Sequence, residues 1–160
     1  MPEAAIRLAA NLLEQVMLKF RSLEPGDHQD IKNWASDAEA RKWLAGIGSD
    51  EWFRFVERDP SEVVLIAVVK DKAAGVVQGE FASNGSVSIA LLLDPSLRGK
   101  RYGRMILQAA LKQPEFEKAS NFAVSIDPKN EASLKCFVSA GFKKAAEPDA
   151  DGLIGLTCAP

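Results

Sequence analysis

Tyrosine and histidine each occur once in 160 residues, and cysteine twice. The histidine, His28, stands in a turn and reads as a surface residue. Cys136 and Cys158 have neither metal-ligand spacing nor the pattern of a disulfide framework. A reducing cytoplasm is the setting they fit. Neither sign of charge dominates: 20 basic and 22 acidic residues leave a net −2. That balance excludes a mainly electrostatic nucleic-acid binder. No apolar run is long enough to cross a bilayer. The stretch Ala4–Met17 is apolar but broken by Arg7, Asn11 and Glu14, and it lacks the basic leader of a signal peptide. No metal, nucleic acid or membrane is expected as a partner.

What the chain does have is an apolar run, Leu91-Leu92-Leu93, followed by Asp94-Pro95 and the cationic segment Arg98-Gly99-Lys100-Arg101-Tyr102-Gly103-Arg104. This reads as a strand, a bend, a glycine-punctuated loop and a helix start. The first N–H groups of a helix have no intrahelical acceptor and carry partial positive charge. Glycines let a ligand approach them, so the segment suits a pyrophosphate. A Walker A loop is excluded because no Gly-Lys-Ser/Thr closes it. A dinucleotide fingerprint is excluded because Gly99 and Gly103 do not fit Gly-x-Gly-x-x-Gly.

Around this loop the chain reads as one domain with an N-terminal extension. Residues 1–15 form the extension, a helix with Ile6, Ala9, Leu13 and Met17 along one face. Residues 16–160 form the domain. A strand at Val16–Leu23 precedes a short helix that Asp27 caps and that runs to Ala35. Ser36 and Glu39 form a capping box for a helix to Ala45, and a third helix spans Asp50–Glu57. Strands at Val63–Val69, Gly75–Ala82 and Val87–Leu93 form a meander, the last two joined by a two-residue turn at Asn84-Gly85. A helix at Tyr102–Lys112, a strand at Phe122–Ile126, a helix at Glu131–Ala140, and strands at Phe142–Ala146 and Leu153–Thr157 complete it. The order predicts an α/β sheet with both pairing directions.

Arg98, Gly103 and their spacing resemble the Gln/Arg-x-x-Gly-x-Gly/Ala loop of the GNAT superfamily of acetyl-CoA-dependent N-acetyltransferases, with Arg101 in place of the middle glycine. The segment Asn130-Glu131-Ala132-Ser133-Leu134-Lys135-Cys136-Phe137-Val138-Ser139-Ala140-Gly141-Phe142 is similar to that family's Asn-x-x-Ser-x-x-x-Tyr-x-x-x-Gly-Phe, with Phe137 in place of the tyrosine. Phe20–Asp27 resembles its first strand and turn. Trp34-Ala35-Ser36-Asp37 is similar to a Trp-x-x-Asp turn of members that acetylate small amines, aminoglycosides or protein N-termini. The resemblance spans residues 16 to 157. It implies an α/β (α+β) fold with a mixed, mostly antiparallel central sheet flanked by helices and splayed between its two central strands.

The resemblance further implies acetyl-CoA as co-substrate. Backbone N–H groups of Arg98, Gly99, Lys100, Arg101, Tyr102, Gly103 and Arg104 would hold its pyrophosphate. Leu91 and Leu93 would pair by backbone with the pantetheine arm, and the Leu93 N–H would polarise the thioester carbonyl. Asn130 and Phe137 would line the cofactor arm, although Asn130 also reads as a helix N-cap. The reaction implied is direct attack by a primary amine, on a small molecule or a peptide N-terminus, in a ternary complex. Glu80 is the candidate base: the two-residue turn sets it opposite Ile89, on the face of Leu91 and Leu93. A solvated surface role for Glu80 stays open. Because Phe137 has no proton to give, the leaving thiolate would take one from water, from Ser133 or from the incoming amine itself, and Ser133 also reads as a helix residue bonded to its own backbone. A homodimer, a coenzyme A-binding module without transferase activity, and a protein-interaction domain also stay open.

Overall fold

The computed structural model describes residues 2–145 and 147–160. Its frame is a seven-stranded sheet in the order β1-β2-β3-β4-β5-β7-β6. The strands are β1 (Leu18–Ser22), β2 (Glu62–Val69), β3 (Lys72–Phe81), β4 (Ser86–Leu93), β5 (Asn121–Ile126), β6 (Lys143–Lys144) and β7 (Ile154–Cys158). The helices are α1 (Pro2–Val16), α2 (His28–Ala35), α3 (Ala38–Trp43), α4 (Asp50–Arg58), α5 (Tyr102–Ala110) and α6 (Glu131–Ser139). Every pairing is antiparallel except β4 with β5. The expected meander and mixed sheet are both present. The strand expected at Phe142–Ala146 is confined to Lys143–Lys144, and Ala146 lies outside the described residues.

The sheet divides two cores. On one face Val77, Val87 and Ile89 pack with Ile106, Leu107 and Ala110 of α5 and Phe137 of α6. On the other, Ile66, Val76 and Leu92 pack with Ile31 and Trp34 of α2 and Trp52, Phe53 and Val56 of α4. Alternate residues of β2, β3 and β4 therefore serve different layers, as the pleat requires. Outside both layers, α1 leaves Ile6 66% and Leu13 56% exposed, so its apolar face is not packed on the domain.

The β2–β3 turn carries positive φ at both Lys70 and Asp71, the backbone of a type I′ hairpin. The β3–β4 turn is not the expected two-residue connection. Ala82 N–H donates to Ser86 and Gly85 N–H to Ala82, which leaves Ser83, Asn84 and Gly85 in the loop. Gly85 has φ +87, where glycine alone escapes the Cβ clash. This extra residue sets Glu80 opposite Ser88, not Ile89. A one-residue slip turns a side chain to the other face.

Two helix starts also differ from expectation. Asp37, not Ser36, caps α3, its carboxylate accepting from the N–H groups of Glu39 and Ala40. Asp27 does not cap α2 with its side chain. It is 5% exposed and accepts two bonds from the Arg21 guanidinium, at 2.7 and 2.8 Å, and one from the Glu24 N–H at 2.8 Å. Those bonds, the Arg21 pair foremost, hold the Asp27 carboxyl below its ordinary range against the opposing effect of burial. Its folded pKa thus lies below its unfolded one. The resulting stability is present above the unfolded value, about pH 4, and is lost as pH falls through the folded value. Replacing Asp27 with asparagine is expected to cost about 2 kcal/mol at neutral pH. Thermal unfolding of both proteins is expected to show that gap narrowing below pH 4, and a gap independent of pH would refute the assignment.

Candidate active site

β4 and β5 pair over only three residues, Ser86 to Ser88 against Asn121 to Ala123. Beyond that point β4 continues to Leu93 and β5 to Ile126, each still paired on its other side. The two central strands therefore part after Ser88, and the β4 edge from Ile89 to Leu93 has no strand beside it among the described residues. An unpaired edge is a template for another extended chain. Both strands are parallel, so their carboxyl ends, and the starts of α5 and α6, lie at the open end of this cleft. That is where ligands bind in open α/β sheets.

The loop from β4 to α5 has the shape its sequence suggested. A single 3-10 turn at Pro95–Leu97 leads to Arg98, Gly99 follows at φ +74, and Arg101 takes φ +67 at the N-cap of α5. A Cβ at Gly99 would meet nothing within 4 Å, so its surroundings are open. No side chain caps α5, and the first intrahelical donor is Met105, to the Arg101 carbonyl at 3.3 Å. A left-handed residue followed by a helical one turns successive N–H groups inward as an anion-binding nest. Lys100, Arg101 and Arg104 are exposed around it.

Arg101 thus stands in a conformation that disfavours any residue with a Cβ, at the position where the resembling motif has glycine. Exchanging it for alanine or glycine removes the same charge, but only glycine relieves the backbone. The glycine variant is expected to be more stable than the alanine variant by about 1 kcal/mol in denaturant unfolding. Equal stabilities would mean that the left-handed conformation is not held.

Gly103 serves a different need. A Cβ there would lie 3.0 Å from Cys136 Sγ and 3.7 Å from Leu91 Cδ2, so this glycine lets α5 approach α6 and β4. Cys136 is half-buried, and burial pushes its thiol up, keeping it protonated. Tyr102 is half-buried against the α5–α6 core. Asn130 is the N-cap of α6, accepting from the Ser133 N–H at 3.2 Å. Ser133 lies half-buried in the first turn of that helix, beside the open end of the cleft. Phe137 is 4% exposed and packs edge-on against Phe142, ring centroids 5.0 Å apart. Leu91 and Leu93 are half-buried at the unpaired edge and face the α5–α6 layer.

On the other face, Arg98 reaches across to the helices between β1 and β2. Its guanidinium donates to the Asp37 carboxylate at 2.6 Å. This bond, more than any other contact, lowers the Asp37 carboxyl below its ordinary range. One aspartate thus caps α3 and ties it to the loop. Trp34 and Trp52 are buried there, and the Trp52 indole donates to Gln78 Oε1 at 3.0 Å. Trp43 is half-buried and donates to Glu39 at 3.3 Å. Glu80 is exposed on this α2–α4 face, not with Leu91 and Leu93 as the shorter turn implied. It sits on the last row at which β4 still pairs with β5, about 5 Å from β4 itself.

Sequence reasoning missed Glu62, which lies directly opposite Glu80 on the same face. Gln78 Nε2 donates to Glu62 Oε2 at 3.0 Å, so tryptophan, glutamine and glutamate form a hydrogen-bonded chain from α4 across β3 to β2. No local signal could have found the pair: the turn Lys70-Asp71 by itself would set Glu62 opposite Gly79, and the register irregularity between Ala67 and Val68 brings Glu80 to face it instead. No group of three or more His, Cys, Asp or Glu able to hold a metal occurs among the described residues. Among them no helix is long and apolar enough to cross a membrane.

A strand parting thus lies beside an uncapped helix start, with a polar face behind it. Residues 17–143 match the family described as the acetyltransferase (GNAT) domain. A Bacillus subtilis (strain 168) protein described as the uncharacterized N-acetyltransferase YfmK is 31% identical over 140 residues, 86% of this chain and 94% of that one. The chain therefore belongs to the GNAT acetyltransferase family. Solved structures share the fold. The aminoglycoside acetyltransferase AAC(6')-Ib, in complex with paromomycin and acetyl-CoA, superposes with a TM-score of 0.76 at 18% identity, over 89% of this chain and 93% of that one. A spermidine N-acetyltransferase from Vibrio cholerae, in complex with CoA and spermine, gives 0.74 at 16%, over 89% and 94%.

Proposed function

We propose that the protein transfers the acetyl group of acetyl-CoA to a primary amine on a small, cationic acceptor such as an amino-sugar or polyamine, by direct attack in a ternary complex. The observation that carries this reading is the parting of β4 from β5 beside the uncapped start of α5. The open surroundings of Gly99 and the left-handed Arg101 fit a pyrophosphate laid on backbone N–H groups. Acetyl-CoA supplies an activated acyl group, a thioester, at the cleft.

Each residue then has a task. The N–H groups from Arg98 to Arg104 bind the diphosphate, and the exposed side chains of Lys100, Arg101 and Arg104 neutralise it. The β4 edge at Leu91 and Leu93 aligns the extended arm, and an N–H at Leu93 stabilises charge on the carbonyl oxygen. Phe137 offers hydrocarbon and no proton, so Asn130 and Ser133 at the start of α6 supply the polar contacts on that side. Trp43 and Trp52 wall the acceptor side. An ammonium has no lone pair, so the amine must lose a proton before it attacks, and Glu80 accepts that proton on the acceptor face. A cytoplasmic location fits this chemistry, since acetyl-CoA must be at hand.

Calorimetry with acetyl-CoA, followed by free-thiol release across a panel of amino-sugars, polyamines and peptides, tests the reading. Saturable binding with amine-dependent thiol release is expected. Binding without turnover on any amine would overturn it.

A further inference from the structure

Glu62 and Glu80 face each other directly across β2 and β3. Carboxylates so placed have Cβ atoms about 5 Å apart and weaken a sheet. No cation answers them: none of the ion pairs among the described residues includes either one. Arg54 and Arg58 of the neighbouring α4 are exposed, and the Arg58 Nε is turned to the Arg54 carbonyl. The other carboxylate acting on Glu62, Asp59, is turned to Ser61. Across the sheet β4 offers only Ser88 in the same row.

Glu62 is also held in place. One oxygen accepts from Gln78, which accepts from the buried indole of Trp52. The other oxygen, Oε1, is closed to solvent and has no hydrogen-bond partner. A buried carboxylate oxygen left unpaired is costly. It is satisfied when a proton lies between it and the opposing carboxylate.

We infer that Glu62 and Glu80 work as a single proton-accepting unit for an acceptor that arrives as an ammonium ion, Glu80 touching the amine and Glu62 acting as its positioning residue; this rests on the acetyl-transfer reading above. With both carboxyls ionised, the pair presents two negative charges to the cation. One N–H proton passes to the pair, which keeps it between the carboxyls. The nitrogen lone pair bonds to the acyl carbon, the carbon–sulfur bond breaks, and a second N–H proton goes to the sulfur. Amide, thiol and a singly protonated pair account for all three ammonium protons. Burial pushes the Glu62 carboxyl up, and Glu80 and Asp59 act in the same direction against the Gln78 bond. A proton held jointly is a stronger driving force for deprotonation near neutral pH than a lone surface glutamate provides.

Carboxyl NMR of the full chain, with 13C at the glutamate side chains, reads this without substrate. The two carboxyls are expected to share two coupled titration steps, and Glu62→Gln is expected to abolish the coupling. Two independent single steps in the wild-type protein would overturn the inference. In turnover, Glu62→Gln is expected to move the acid limb of the kcat/KM profile to lower pH. An unmoved limb would also overturn it. Independent titration in an enzyme that turns over removes the pairing alone. Coupled titration without turnover on any amine removes the transfer reading, and the base with it.

Discussion

Exchanging Glu80 for glutamine is expected to lower kcat/KM for the amine about 10²- to 10⁴-fold at neutral pH, the range that a positioned general base supplies. The dissociation constant of acetyl-CoA is expected to stay where it was. The separation follows from the pleat. Glu80 shares its face with the α2–α4 layer, whereas α5 and the half-buried edge residues Leu91 and Leu93 belong to the other. Glutamine keeps the size and polarity of an exposed side chain, so the sheet should be undisturbed. Thiol-release kinetics and calorimetry on the same preparation check both halves. Full turnover in the variant would take Glu80 out of the proton path, and a large loss of acetyl-CoA binding would place it on the donor side.

The residue before it is expected to be the least tolerant position on the strand. A Cβ at Gly79 would run into the Phe116 ring, 2.7 Å from Cζ, and would come within 3.0 Å of Val87 Cγ1. That ring has no room to retreat. It is 2% exposed, stacks on Phe81 at 6.3 Å and meets Phe122 edge-on at 5.7 Å. Overfilling a core of this kind costs about 3 kcal/mol. For a chain of this length, Gly79→Ala is then expected to lower Tm by about 6–12 °C. The paired test is the double variant with Phe116→Leu, in which the added methyl group has space and its cost is expected to shrink by more than half. An undiminished cost would place the clash elsewhere.

Much of the fold was legible because periodicity and turn chemistry are local. The β-branched run in β2, the helix patterns of α4, α5 and α6, and the glycine-bearing cationic loop all follow from neighbours in sequence. Register was not local. Asn84-Gly85 suits a two-residue turn, but Ser83 joins it in a three-residue loop with Gly85 left-handed. That single residue moved Glu80 to the opposite layer. Glu62 was invisible for a related reason: a glutamate at the edge of an apolar run looks like the end of a strand until the hairpin register brings another acid to face it. Asp27 and Asp37 carried the right residue types for helix starts. What no local pattern revealed was the arginine that each one holds, 61 residues away in the case of Arg98 and Asp37.

The bond between Arg98 and Asp37 has a further implication. The segment proposed to hold the diphosphate and the helix proposed to border the acceptor share one electrostatic tether. A polyanion seated at that segment competes with the aspartate for the same guanidinium. On the acetyl-transfer reading, a donor that drew this guanidinium away would release α3 from the loop, so the two sides of the cleft are linked through one arginine.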